Sequence, residues 1–257
     1  MEYAVARPAA GAASPQVIVV EWTRPLVWLQ RGWSDLKRAA KPSLLYGAWT
    51  AAFGFALLMV AWRFTHLGPA LVGGFLLVAP FVAICFYAMS QQIERGEQVD
   101  GAMAVFAWRR NTQSIALWGL ALALALILWE RIAAIVFALL YHGPIGEGGG
   151  MLYGAAIASG DYLFLAAFFG LGGLFALIVF AFGIVTAPML LDRDVDVVTA
   201  ALTSLLCCMR NPAAALLWAF LIAALTLLGF ATLMIGLLVV FPLLGHASWH
   251  AYRDLVR

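Results

Sequence analysis

The sequence predicts an all-α membrane protein with six transmembrane helices, arranged as three parallel repeats of an amphipathic helix followed by a helical hairpin. Three observations predict it: an apolar composition, a one-sided distribution of basic residues, and a junction that recurs three times. Of 257 residues, 65% are hydrophobic and 11% charged, and the mean hydropathy is +0.96. Soluble domains run near half apolar and a quarter charged. A soluble fold of this length has too little interior for that much apolar surface, so lipid must solvate most of it. The net charge of +2 is small, and no basic stripe interleaved with aromatics is present, which excludes nucleic acid as a partner.

Apolar runs of spanning length fall at about 43–62, 67–89, 114–140 and 162–190, followed by a nearly unbroken run over 213–245. With its helical continuation to Tyr252 the last run would be roughly 60 Å long, twice a hydrocarbon core of about 30 Å. Two spans joined by a tight turn near Ala231–Gly236 fit better than one over-long helix. The expected organisation is an N-terminal tail over 1–24 and a six-span domain over 25–257. Met1 to Pro15 is Ala-rich with a single Arg, and Val17 to Val20 is too short for a signal h-region. The first span is therefore expected to direct its own insertion.

Basic residues set the orientation. Arg7, Arg24, Arg31, Lys37, Arg38 and Lys41 precede span 1, and Arg95, Arg109 and Arg110 follow span 2. Arg193 and Arg210 follow span 4, and Arg253 and Arg257 close the chain. That places 13 of 15 basic residues on one side, leaving only Arg63 and Arg131 toward the other. Both termini are expected in the cytoplasm.

The recurring junctions are Ala40-Lys41-Pro42, Arg110-Asn111-Thr112 and Arg210-Asn211-Pro212. Pro in a first helical turn loses no hydrogen bond, and Asn or Thr can cap the free N–H groups. A Trp follows inside each span (Trp49, Trp118, Trp218), and Gly then Pro recur in the second span of each pair: Gly74 and Pro80, Gly183 and Pro188, Gly236 and Pro242. Parallel repeats of this kind differ from the inverted repeats of many secondary transporters. The segments before spans 1, 3 and 5, about 26–40, 98–110 and 196–209, are expected to be amphipathic helices lying in the interface. In the first, Leu29, Trp33, Leu36 and Ala40 are spaced for one apolar face. Two readings are open for these helices: recognition of lipid or a partner, or a device that orients the next span.

The stretches Ala187-Pro188-Met189-Leu190-Leu191-Asp192-Arg193-Asp194-Val195-Asp196, Met209-Arg210-Asn211-Pro212 and the ending from Phe241 to Leu255 carry a resemblance. They resemble a bacterial family of integral membrane proteins of unknown function, domain of unknown function 2189. The resemblance implies a bacterial inner membrane and six spans, and brings no activity or catalytic residues with it.

Few residues carry chemistry. His246 and His250 are four apart on an expected helix, so both rings share a face, a spacing that suits a metal or haem ligand pair or two interfacial side chains. Glu130 and Arg131 interrupt span 3, where an ionisable residue is a functional candidate by default; interfacial anchoring is the alternative. Asp192, Asp194 and Asp196 alternate like part of a calcium loop but lack its Gly turn and distal Glu; acids complementing the next helix dipole are the other reading. The stretch 141–161 holds seven glycines, including Gly148-Gly149-Gly150, and reads as a flexible outer loop, since no Lys follows as a phosphate cradle requires. Cys85, Cys207 and Cys208 have no Cys-x-x-Cys spacing and read as packing residues. No nucleophile–base pair or HExxH motif is visible, so no enzyme activity and no cofactor are expected.

The expected function is therefore a non-catalytic accessory or structural subunit of a larger bacterial inner-membrane complex, with a respiratory or electron-transfer complex as one candidate. Membrane lipids and other membrane subunits are its expected partners. A small-molecule or lipid permease, with Glu130, Arg131 and the Gly–Pro breaks forming a path, is the competing reading.

Overall fold

A computed structural model describes residues 15–64, 68–142 and 160–257. Helix α1 runs Arg24–Arg38, α2 Ala40–Arg63, α3 Gly68–Glu94, α4 Gly101–Ala104 and α5 Thr112–Leu140, with a 3-10 turn at Ala107–Asn111 before α5. Then follow α6 Tyr162–Gly183, α7 Thr186–Asp192, α8 Val197–Arg210, α9 Pro212–Ala231 and α10 Leu237–Leu255. Among the described residues, four helical stretches are long and apolar enough to cross a membrane: Ala40–Arg63, Gly101–Leu140, Tyr162–Asp192 and Pro212–Ala231. Helix α3 has 27 residues and α10 has 19. Most of the glycine-rich stretch after α5, including Gly148–Gly150, lies outside the described residues.

The expected turn near residues 231–236 is where α9 stops and α10 begins. Leu233 and Met234 sit at φ 53° and 71°, a left-handed region that side chains occupy at a cost of roughly 1–2 kcal/mol each. Gly236 closes the turn against Thr232, whose Oγ1 accepts the Gly236 N–H at 2.7 Å; a Cβ on Gly236 would sit 2.6 Å from that oxygen.

The three junctions each open a helix: Pro42 stands third in α2, while Thr112 and Pro212 stand first in α5 and α9. Asn111 caps α5 by accepting the Ser114 N–H at 3.4 Å. Asn211 does not cap α9. It ties down the N-terminal segment instead, accepting the Val20 N–H at 2.8 Å and donating to the Ile18 carbonyl at 3.0 Å. The following tryptophans differ in surroundings: Trp49 is 70% exposed, whereas Trp118 and Trp218 are buried.

Two sequence expectations need correction. The segment before α5 is not one amphipathic helix but α4 and the 3-10 turn, separated at Val105–Phe106. On α1, the inward face is Pro25, Trp28, Gly32, Asp35, Leu36 and Ala39, while Trp33 is 44% exposed. Of the expected face Leu29–Trp33–Leu36–Ala40, Leu36 is buried and Trp33 turns outward, because Gly32 and Asp35, which do not score as apolar, set the contact. A Cβ at Gly32 would lie 2.7 Å from the Ala247 backbone nitrogen, so α1 and α10 touch backbone to backbone there. Gly47 of α2 likewise faces the Leu238 carbonyl with no room for a Cβ.

Among the described residues, the larger of two core clusters is gathered at one end, and a small one joins Val136 of α5 to Phe164 of α6. Helix α10 packs against α1, α2 and α3, and its buried Trp249 and Tyr252 join Trp28, Phe86, Met89, Met189, Leu190 and Trp218 in one cluster. Trp28 meets Trp218 edge-on at 5.7 Å. The chain ends close over this cluster. Gln16 donates to the Arg257 carbonyl at 2.8 Å, and Arg257 returns a bond to Gln16 at 2.9 Å. By contrast, only 6% of the most apolar window in each of the stretches containing α5 and α6 is buried.

Candidate functional site: a buried serine, histidine and aspartate network

Within the packed end, four helices each send a polar side chain to one place. Asp35 comes from α1, Ser43 from the first turn of α2, Ser90 from the last turns of α3, and His246 and His250 from α10. Ser43 Oγ lies 2.9 Å from His246 Nε2, and Ser90 Oγ lies 2.8 Å from His246 Nδ1. Ser90 donates to Asp35 Oδ2 at 2.8 Å, and His250 Nε2 lies 2.8 Å from the same oxygen. Ser43 and His246 have no exposed surface, and Ser90 and Asp35 are buried.

The donors fix the protonation pattern. Ser90 has one proton and gives it to Asp35, so its oxygen must accept from His246 Nδ1–H. His246 is then the neutral tautomer with a bare Nε2, which accepts the Ser43 hydroxyl. Both ring nitrogens of His246 are thereby taken by serines. For Asp35, burial pushes the carboxyl pKa up, but hydrogen bonds from His250 and Ser90 outweigh it, holding the pKa below its ordinary value. The resulting run, Ser43 to His246 to Ser90 to Asp35 to His250, joins α2, α10, α3 and α1.

This pairing is a serine–histidine contact that the sequence alone did not reveal, because the partners are 203 residues apart. A signal was present: Asp35 falls on the Trp28–Gly32–Ala39 stripe of α1, where a lone acid on an inward face implies a partner. His246 and His250 do share a face, as their spacing predicts. They serve one hydrogen-bonded network through Asp35, and His246 has no free nitrogen for a metal.

Asp192 has a different role from helix-dipole complement. It ends α7 and accepts from Gln91 Nε2 and the Tyr252 hydroxyl, both at 2.7 Å. Arg193 Nε donates to the Tyr252 oxygen at 2.9 Å, and Arg110 donates to Gln91 Oε1 at 2.5 Å. The dipole role belongs to Asp196, which accepts the Val198 and Thr199 N–H groups at the start of α8, both at 2.9 Å; these bonds and the Thr199 hydroxyl hold its pKa down. At the far end of α10, Asp254 takes Arg24 at 2.6 Å, Trp28 Nε1 at 3.0 Å and Arg31 at 3.1 Å. Burial pushes the Asp254 pKa up, and these partners more than reverse it.

Glu130 and Arg131 lie apart from all of this. They stand about 27 Å along α5 from Thr112, at 1.5 Å per residue. Glu130 is half-buried and Arg131 exposed. Neither makes an ion pair or side-chain hydrogen bond among the described residues. Their neighbour Trp129 packs on Phe168 and Phe175 of α6 at 5.4 and 5.9 Å.

Long apolar helices whose flanks remain uncovered, attached to one densely packed polar end, define a helical integral membrane protein. Residues 67–192, just under half of the chain, match the family model DUF2189, described as a predicted integral membrane protein. Of the three stretches that carry the resemblance in the sequence, only Ala187–Asp192 falls inside the matched residues. No curated protein and no solved structure matches the chain.

Proposed function

We propose that the protein is a non-catalytic accessory or structural subunit of a larger bacterial inner-membrane complex, spanning the membrane six times with both termini in the cytoplasm. The observation that carries this reading is the contrast in burial. The packed end satisfies its own polar groups, whereas the stretches containing α5 and α6 bury only 6% of their most apolar windows. Gly170 and Gly173 of α6, one turn apart, have nothing within 4 Å of where a Cβ would stand. Small residues on an uncovered span let a neighbouring helix approach closely, which lipid does not require. The saturated bonding of Ser43 and His246, both without exposed surface, favours a structural role over hydrolysis or proton transfer through that end. On this reading α3 and α10 are spans 2 and 6, and the three junctions mark parallel repeats.

Purification in mild detergent tests the proposal. Stoichiometric membrane proteins should co-purify and be lost on harsher solubilisation. A lone protein that moves solute in liposomes would replace the subunit with the permease.

A further inference from the structure

We propose that Lys37, Arg38 and Lys41 form a binding surface for the phosphate of anionic phospholipids at the corner between α1 and α2. Helix α1 ends at Arg38, Ala39 leaves helical geometry at φ −104° and ψ 34°, and α2 begins at Ala40. The three cations therefore stand within a single turn of chain, and all three are exposed. The neighbouring charges are committed elsewhere. Arg24 and Arg31 are neutralised by Asp254. Asp35 turns inward to Ser90 and His250. Gly101 lies against Pro42, and the adjoining Asp100 directs its carboxylate to the Met103 N–H at 3.0 Å. No carboxylate pairs with Lys37, Arg38 or Lys41 among the described residues.

The surroundings of this cationic corner match a lipid rather than a soluble anion. Helix α2 is long and apolar enough to span, and its outward positions below Lys41 are Leu45 and Trp49, 56% and 70% exposed. Along α1, the exposed positions before Lys37 are Leu26, Gln30, Arg31 and Trp33, so Leu26 and Trp33 set apolar surface beside the polar Gln30 and Arg31. Cations thus sit where a span begins, with bare Leu45 and Trp49 leading away along α2, the order of headgroup and acyl chain in a leaflet. Helix α1 must be held in the interface for this to work, and its backbone contact with α10 at Gly32 holds it there. The proposal rests on α2 crossing the membrane and is independent of the subunit reading.

The test uses the full chain in nanodiscs of phosphatidylcholine containing a minority of spin-labelled lipid. Immobilised spin-labelled phosphatidylglycerol should exceed spin-labelled phosphatidylcholine, and the excess should fall as salt is raised. Each cation near an anionic surface changes affinity by about fivefold, so Lys37→Gln/Arg38→Gln/Lys41→Gln should abolish the preference. Arg95→Gln, a change at an exposed cation after α3, should leave it within about twofold. The salt titration reads the wild-type chain and holds even if the triple variant fails to fold. Equal immobilisation of both lipids by the wild type, or a preference that survives the triple change, would overturn the proposal. Displacement of the labelled lipid by inorganic phosphate would also overturn it, assigning the corner to a free anion. Loss of an acidic co-purifying protein in the triple variant, with lipid preference intact, would assign it to a protein.

Discussion

Ser43 Oγ and His246 Nε2 stand 2.9 Å apart with neither residue exposed, so the first turn of α2 is fastened to the middle of α10 by a hydrogen bond sealed from solvent. Such a bond is worth most when broken on one side only, since the abandoned partner keeps its desolvation cost. Ser43→Ala strands the bare Nε2 and should destabilise by about 1–3 kcal/mol. His246→Ala strands both serines and leaves a cavity, so about 2–5 kcal/mol is expected. The double variant should cost less than the sum of the two, because the second change removes a group already without its partner. Thermal midpoints in one detergent measure all three; strict additivity would mean that the two residues do not interact.

Asp35 makes the same network sensitive to acid. Its folded pKa lies below its ordinary value, so its contribution to stability is complete above the unfolded value of about 3.9. It is lost as pH falls through the lower folded value. The melting temperature should therefore fall steeply below about pH 4. Asp35→Asn should lower the neutral-pH melting temperature and flatten that acid limb. Asp254 is shifted the same way, so part of the limb should survive. An unchanged limb in Asp35→Asn would contradict the ionised, paired state of Asp35.

How much of this was legible in the sequence varies with the range of the interaction. The turn at 231–236 could be read because helix length against bilayer thickness is a local constraint. The caps were half legible. Asn111 caps α5, but Asn211 is drawn away by residues 18 and 20, whose arrival no local pattern announces. The face of α1 was misread because apolar spacing ignores Gly32 and Asp35, the residues that set the contact with α10. His246 and His250 were singled out by spacing alone. Their partners Asp35, Ser43 and Ser90 were not, since polar residues at a span boundary look alike until tertiary contacts choose among them.

The uncovered face of α6 gives a test of association separate from folding. Gly170 and Gly173 have open space around them, so Gly170→Leu and Gly173→Leu should change the stability of the isolated chain by no more than about 0.5 kcal/mol. Either change should weaken co-purification of a partner that packs there. Gly172 is the internal contrast, because a Cβ there would lie 2.8 Å from Trp129. Gly172→Leu should destabilise the chain itself. Retained co-purification in both outer variants would remove this face from the subunit proposal.

Orientation is open to a direct reading. The proposed six-span topology puts 13 of 15 basic residues on one side, so reporters fused after Arg63 and Gly150 should read outside, and those after Gln98, Asp196 and Arg257 inside. An outside signal at Arg257 would remove α10 as a span, leaving five crossings.

Glu130 and Arg131 separate the subunit from the permease, because each reading puts them in a different solvent. A charge at the bilayer centre costs about 2.5–3.5 kcal/mol on insertion scales, and far less near the interface. At roughly 27 Å along α5, the proposed topology puts the pair toward the far side of a core about 30 Å thick. Anchoring there predicts that Glu130→Gln and Arg131→Gln leave insertion and stability nearly unchanged. A permease predicts that either change abolishes transport while expression is retained. Water access decides between them. A cysteine at position 130, in a chain whose Cys85, Cys207 and Cys208 have been replaced, is probed from each side with a membrane-impermeant thiol reagent. Labelling from the outer side alone fits an anchor beside the headgroups. Labelling from both sides requires a water-filled path past Glu130, and the protein would then be a permease.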